Sequence, residues 1–155
     1  MHQYQYERVI FICSDNTIVS PMAEIIFKSI PLVKGVECYS RGIVVLFQEP
    51  VNPKAVDVAK NHGIEMINSL STQFHRIEAN EHTLLLTMTK HQKEEVINHF
   101  EIKDNIYTLK EFIGEDGDCI DPYGQSLLAY EECFEELTTL VKKVAYRIAS
   151  KTDLA

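Results

Sequence analysis

The chain has 155 residues, with 15 Lys and Arg against 23 Asp and Glu, and a formal net charge of −8. This length predicts one domain over residues 1–155, which buries about two-thirds of its unfolded surface without help from a metal or a disulfide. The acidic balance argues against binding to nucleic acid, which needs clustered Lys and Arg, and against binding to an anionic membrane surface.

The motifs that are present and absent indicate where the protein is located and whether it needs a cofactor. The first residues lack the charged-then-apolar layout of a signal peptide, and no apolar run approaches the ~20 residues of a membrane span. The four cysteines form no CxxC pair, so we expect free thiols and a cytoplasmic location. The six histidines show no ligand spacing and no glycine-rich nucleotide motif is present, so we expect no metal and no cofactor.

Four short apolar runs predict β-strands, because they are brief and rich in β-branched or aliphatic residues. They cover residues 8–13, 36–40, 82–88 and 105–109.

Helical patterns follow these runs. Ser20 as N-cap and Pro21 at the first helical position predict the start of the first helix. A second helix is predicted to begin at Asn52-Pro53 and to stop before Gly63, a third follows the capping box at 89–92, and a long amphipathic helix covers 127–148. Alternating strands and helices predict an α/β fold, a parallel sheet flanked by helices on both faces.

The chemistry is expected at the first strand-to-helix turn, which follows Cys13. In open α/β sheets, ligands bind outside the carboxyl ends of the strands, where helix N-termini favour anions. A cysteine facing a helix N-terminus is a candidate nucleophile because its thiolate is stabilised there. The alternative is a buried core cysteine that ends a strand.

Several segments resemble the low-molecular-weight protein-tyrosine phosphatase family, most of all the branch that includes bacterial protein-arginine phosphatases. The similar residues are Val9 to Cys13, Asn16-Thr17, Ser20-Pro21-Met22-Ala23-Glu24, Ser40, Gly42, Leu85 to Met88 and Asp121 to Gly124. The resemblance spans nearly the whole chain and implies a four-stranded parallel sheet flanked by helices.

The resemblance also implies roles for the residues of a phosphate-binding loop. That loop would consist of Cys13, Ser14, Asp15, Asn16, Thr17, Ile18, Val19 and Ser20. Cys13 would be the nucleophile that forms a phosphocysteine, Ser20 would hydrogen-bond the thiolate, and Asn16 would hold the loop backbone. Asp121 would act as general acid and then as general base. Taken alone, Asp121-Pro122 is also an ordinary turn sequence.

The chain departs from the family pattern at three loop positions. Val19 stands where the family has an arginine, whose planar fork grips two phosphoryl oxygens. Asp15 stands where the family usually has glycine, and its carboxylate repels phosphate and raises the pKa of Cys13. Ile18 replaces a second cysteine found in many members, so a protective disulfide with Cys13 is lost.

These departures leave two hypotheses. The favoured one is a phosphatase-like protein impaired in phosphomonoester hydrolysis and retained for binding or regulation. The alternative is an active phosphatase for phosphotyrosine or phosphoarginine that uses Cys13 and Asp121 with a substitute cation such as Arg41. The competing interpretation, which we favour, is that Arg41 is a solvated surface residue.

An apolar run covers residues 43–47, where the family has a loop beside the active site. One interpretation is a strand or helical turn packed into the core, which we favour. The other is an exposed patch that binds a partner or forms a dimer, or in which Phe47 lines a specificity pocket. We expect a phosphoprotein or another protein as partner, and the sequence leaves the oligomeric state open.

Overall fold

The computed structural model describes residues 4–66 and 69–152 and contains one parallel sheet. Its strands are β1 (Arg8–Cys13), β2 (Glu37–Gly42), β3 (Thr83–Thr87) and β4 (Ile106–Thr108). Their order across the sheet is β2-β1-β3-β4, and every neighbouring pair is parallel. The predicted four-stranded parallel sheet is therefore confirmed.

Within the described residues, five helices surround this sheet. They are α1 (Val19–Lys28), α2 (Pro53–Asn61), α3 (Lys90–Phe100), α4 (Leu109–Phe112) and α5 (Leu127–Thr152). The sequence patterns did not predict the four-residue α4 or the single 3₁₀ turns at Pro31–Val33 and Arg76–Glu78. Among the described residues, no helix combines the length and the apolar composition that a membrane crossing requires.

Alternation along β1 divides the core into two layers. Val9 and Phe11 point to one face, where they join buried residues of α1, α2 and α5. Ile10 and Ile12 point to the other face, where they meet Val96 of α3. Because both faces of β1 are buried, its sequence is a continuous apolar run, as expected of a central parallel strand.

Local capping explains where two of the helices begin. The Asn52 side chain accepts the Lys54 N–H at 3.0 Å and caps α2, which confirms the predicted helix start. The predicted capping box of α3 is also confirmed, because Thr89 and Gln92 each bond the other's backbone N–H.

The predicted start of α1 is wrong. The helix begins at Val19, and Ser20 lies inside its first turn instead of capping it. The Ser20 hydroxyl is engaged by the Cys13 thiol and the Asn16 amide, so it is not available to cap the helix. The second strand also differs from the prediction, since it continues through Gly42 and not only to Ser40.

Candidate active site at the end of the first strand

The loop between β1 and α1 lies at the carboxyl edge of the sheet and begins at Cys13. The Cys13 side chain is buried, and its Sγ lies 2.9 Å from the Ser20 Oγ. Backbone N–H groups of Asn16 and Ser20 also hydrogen-bond the sulfur. The loop therefore curls around the thiol and presents polar hydrogens to it.

Asn16 fixes the shape of this loop. Its φ of 62° lies in the left-handed region, which asparagine tolerates better than most residues. Its Nδ2 donates to the Ser20 Oγ at 2.8 Å and to the Ser40 Oγ at 2.9 Å. Its Oδ1 accepts the Thr72 N–H at 2.9 Å. One buried side chain thus ties the loop to α1, to β2 and to the segment that precedes β3.

Further contacts brace the loop from outside. The Ser40 hydroxyl donates to the Glu24 Oε1 at 2.6 Å, and the Gln92 Nε2 donates to the Ser14 Oγ at 3.2 Å. Sequence reasoning did not identify Thr72 or Gln92 as partners of the loop. No local signal marks them, because each lies more than 50 residues away along the chain.

Gly42 lets the end of β2 approach the loop closely. The N–H of the next residue, Ile43, donates to the Cys13 carbonyl at 3.0 Å. A Cβ on Gly42 would lie 3.0 Å from the Asp15 carbonyl carbon and 3.2 Å from the Asn16 Cβ. The absence of a side chain at residue 42 is therefore a steric requirement of this loop.

Asp15 places a negative charge inside the loop. Its Oδ1 accepts the Thr17 N–H at 3.2 Å and the Thr17 hydroxyl at 2.9 Å. A backbone donor of the loop is thereby already paired with a carboxylate oxygen of the same chain.

The surroundings of Cys13 favour the neutral thiol. Burial raises the pKa of Cys13, and the hydrogen bonds from Ser20 and Asn16 only partly oppose that rise. The Asp15 carboxylate raises the pKa further by like-charge repulsion with the thiolate.

Asp121 is exposed and lies on the segment between α4 and α5. Its Oδ1 accepts the Tyr123 N–H at 2.9 Å. Burial raises the pKa of Asp121, the bond from Tyr123 lowers it, and the Asp15 carboxylate raises it again. The Asp15 carboxylate therefore raises the pKa of both Cys13 and Asp121.

No residue of the loop carries a positive charge. Val19 and Ile18 are both buried, and their side chains belong to the hydrophobic core beneath the loop. Val19, at the position of the arginine in the family pattern, therefore packs in the core. It offers neither a hydrogen-bond donor nor a positive charge to an anion in the loop.

Arg41 lies on β2, outside the loop. Its Nε forms an ion pair with the Glu78 Oε1 at 2.8 Å, and its Nη1 donates to the Ser40 carbonyl at 2.9 Å. Its guanidinium also lies over the ring of Tyr39, 5.1 Å from the centroid. Because side chains alternate along a strand, Arg41 and Tyr39 point away from the face on which Ser40 contacts the loop.

Most of the apolar run after β2 is on the surface. Ile43 is buried, but Val44, Leu46 and Phe47 are 55%, 82% and 81% exposed. The favoured expectation of a core element is wrong for these three residues, because the chain leaves the sheet at Gly42 and forms neither strand nor helix over 43–47. The segment starts directly beside the loop, since the Val44 N–H donates to the Ser14 carbonyl at 3.1 Å.

A buried thiol within a curled loop at the carboxyl edge of a four-stranded parallel sheet is the arrangement of cysteine-dependent phosphatase folds. The chain belongs to the low molecular weight phosphotyrosine protein phosphatase family, whose sequence model matches residues 8–154.

Individual relatives agree with this assignment. The chain is 34% identical to the low molecular weight protein-tyrosine-phosphatase PtpB of Staphylococcus haemolyticus, over 88% of this chain and 96% of that protein. It is also 34% identical to a protein-arginine-phosphatase of Geobacillus stearothermophilus, over 93% of this chain and 97% of that protein. The crystal structure of a low molecular weight protein tyrosine phosphatase from T. tengcongensis superposes with a TM-score of 0.84 at 35% identity, covering 90% of this chain and 98% of that one.

Proposed function

We propose that this protein keeps the architecture of the family but is impaired in phosphomonoester hydrolysis, and that it serves in binding or regulation. The observation that carries the proposal is the buried Val19 at the position of the loop arginine. A phosphoryl group in transfer spreads negative charge over its equatorial oxygens and requires cationic, bidentate donors. Loss of one preorganised donor costs about 10²–10³ in rate, and loss of a charged clamp costs at least as much.

Asp15 acts in the same direction. Its carboxylate pairs with the Thr17 N–H, which would otherwise be free to donate to a phosphoryl oxygen. Its charge also repels a phosphate dianion and disfavours the nucleophilic thiolate of Cys13. Substrate binding and nucleophile activation are thus weakened by one residue.

The alternative, an active phosphatase, draws on the groups that remain. In that mechanism the Cys13 thiolate attacks phosphorus while Asp121 protonates the leaving oxygen or nitrogen, and Asp121 then activates water to release phosphate from Cys13. This requires a cation from outside the loop. Arg41 is a poor source, because its guanidinium is already held by Glu78 and by the Ser40 carbonyl.

Hydrolysis of a small aryl phosphate decides between the two functions. We expect the wild-type protein and its Cys13→Ser variant to release phenol at the same rate, which is the background rate without protein. A robust wild-type rate that Cys13→Ser abolishes would establish the active phosphatase and refute the impaired one. An active family member assayed in parallel under the same conditions is the positive control.

The exposed segment Val44 to Phe47 supports the proposal that this protein binds a partner protein. Three large apolar side chains beside a functional loop form a surface of the kind that mediates protein association. We propose that the partner approaches the loop over this segment.

A photo-crosslinking residue placed at Phe47 tests this role in cells. We expect a discrete adduct of higher mass from position 47. The matched control is Ile77, which is 89% exposed but lies beside Asn80 and Asp104, which precede β3 and β4 at the amino edge of the sheet. Identical adduct patterns from the two positions, or none from position 47, would contradict the proposal.

A further inference from the structure

Three metal-binding side chains converge where the end of α2 meets α5. His62 follows α2 directly, and Glu131 and Glu135 lie one turn apart on α5. One ligand atom from each residue lies within 4.8 Å of the others. Residues four apart share one face of a helix, so both carboxylates point toward the imidazole.

The imidazole is held in place before any ligand arrives. Its ring stacks on Phe134, with centroids 4.6 Å apart and an interplanar angle of 26°. Its Nε2 lies 2.5 Å from the Glu131 Oε1. The backbone N–H of His62 also donates to the Ala59 carbonyl at 3.0 Å, which fixes the backbone that carries the ring. The orientation of the nitrogen donor is thus set by packing.

The second carboxylate is available to a ligand. Within residues 4–66 and 69–152, Glu131 is paired with His62, whereas the Glu135 carboxylate makes no ion pair or hydrogen bond. Its like charge so close to Glu131 is unfavourable unless a cation lies between them. The cluster combines an oriented nitrogen donor with an unpaired oxygen donor.

We propose that His62, Glu131 and Glu135 bind a divalent first-row transition metal ion, for which Zn²⁺ is the probe. One imidazole nitrogen with two carboxylate oxygens suits zinc, whereas Mg²⁺ and Ca²⁺ prefer oxygen-only sites. Zinc takes nitrogen at ~2.0–2.1 Å and carboxylate oxygen at ~2.0–2.2 Å, so two such ligands on a tetrahedral ion are about 3.3–3.5 Å apart. Small side-chain movements bring the three ligand atoms to that spacing, and water completes the coordination.

This site is separate from the phosphatase loop. It lies at the C-terminal end of α2, whereas the N-terminal end of the same helix meets the loop through the Asn52 N–H and the Thr17 carbonyl, 2.9 Å apart. The ion would join α2 to α5 and stabilise their contact without entering the chemistry at Cys13. The proposal therefore does not depend on whether the loop hydrolyses phosphate.

Calorimetric titration of the reduced, metal-free protein with ZnCl₂ tests the site. We expect one saturable ion per chain and a thermal midpoint that rises with zinc, with no comparable response to MgCl₂. Glu135→Gln and His62→Asn should each weaken the zinc affinity at least tenfold. Glu132→Gln, an exposed neighbour on the same helix, is the matched control and should bind zinc as the wild type does.

The four thiols make cobalt a necessary second probe. Co²⁺ bound to thiolate gives an intense near-ultraviolet charge-transfer band, which a site of nitrogen and oxygen ligands lacks. Absence of saturable zinc binding, equal affinity in wild type and Glu135→Gln, or a thiolate band that accompanies the binding would each overturn the proposal. Glu135 is exposed, so its variant should fold, and circular dichroism of the metal-free proteins checks this.

Discussion

The Asp15 carboxylate accepts both the backbone N–H and the hydroxyl of Thr17, at 3.2 Å and 2.9 Å. The negative charge that these donors of the loop meet is therefore the carboxylate of Asp15, a residue of the loop itself. The same carboxylate raises the pKa of Cys13 and of Asp121. Asp15 thus affects one backbone donor of the loop, the candidate nucleophile Cys13 and the candidate acid Asp121.

Asp15→Asn should lower the pKa of Cys13. Asparagine retains a side-chain oxygen that can accept the Thr17 N–H, so the loop keeps its geometry and loses only the charge. Because the removed charge disfavoured the thiolate, the pH-rate profile for alkylation of Cys13 by iodoacetamide should have its midpoint at a lower pH than in the wild type. Asp104→Asn removes the same charge from the chain just before β4, at the opposite edge of the sheet. An equal shift in both variants would show that net charge, and not Asp15, controls the thiol.

Gly42→Ala should destabilise the protein and disturb the loop. The new Cβ would lie 2.5 Å from the Val45 Cγ2 and 3.0 Å from backbone of Asp15, so the loop or the segment after β2 must move. We expect a loss of about 1–3 kcal/mol in the free energy of unfolding by urea, typical of overpacking. Gly35→Ala is the matched control, since nothing lies within 4 Å of a Cβ there. A loss of the same size at both glycines would contradict the steric argument.

Arg41→Ala should affect stability and not anion binding. The Arg41–Glu78 pair is largely shielded from solvent, and its loss should cost about 1–2 kcal/mol, above the 0–1 kcal/mol of exposed pairs. Arg8→Ala breaks the more exposed pair with Glu37 and provides the comparison in urea denaturation. Vanadate binding measured by calorimetry should be the same in Arg41→Ala and the wild type. A drop in vanadate affinity confined to Arg41→Ala would restore Arg41 as a substitute cation.

The sequence was sufficient for the fold because the relevant signals are local. The apolar run of β1, the start of α2 at Asn52-Pro53 and the Thr89–Gln92 capping box each depend on residues within a few positions of one another, and the structure confirms all three.

The loop contacts were harder to predict. Serine is favoured both as a helix cap and as a hydrogen-bond partner of a thiol, and local pattern could not tell which use applies at Ser20. The bond from Thr72 to Asn16 and the exposure of Leu46 and Phe47 depend on how the sheet and the distant segments assemble. Such contacts have no signature along the chain.

Restoring the family residues should restore anion binding. We expect Asp15→Gly combined with Val19→Arg to bind vanadate at least 100-fold more tightly than the wild type, about 3 kcal/mol, because it regains a bidentate cation and loses a competing anion. Val19→Arg alone should gain less, since Asp15 would pair with the new guanidinium. Val19→Met with Asp15→Gly is the control for length without charge and should show little gain. Because the Val19 side chain is buried, an arginine there must turn out of the core toward the loop, and circular dichroism should confirm that each variant is folded. A folded double variant with wild-type affinity for vanadate would place the defect outside Asp15 and Val19.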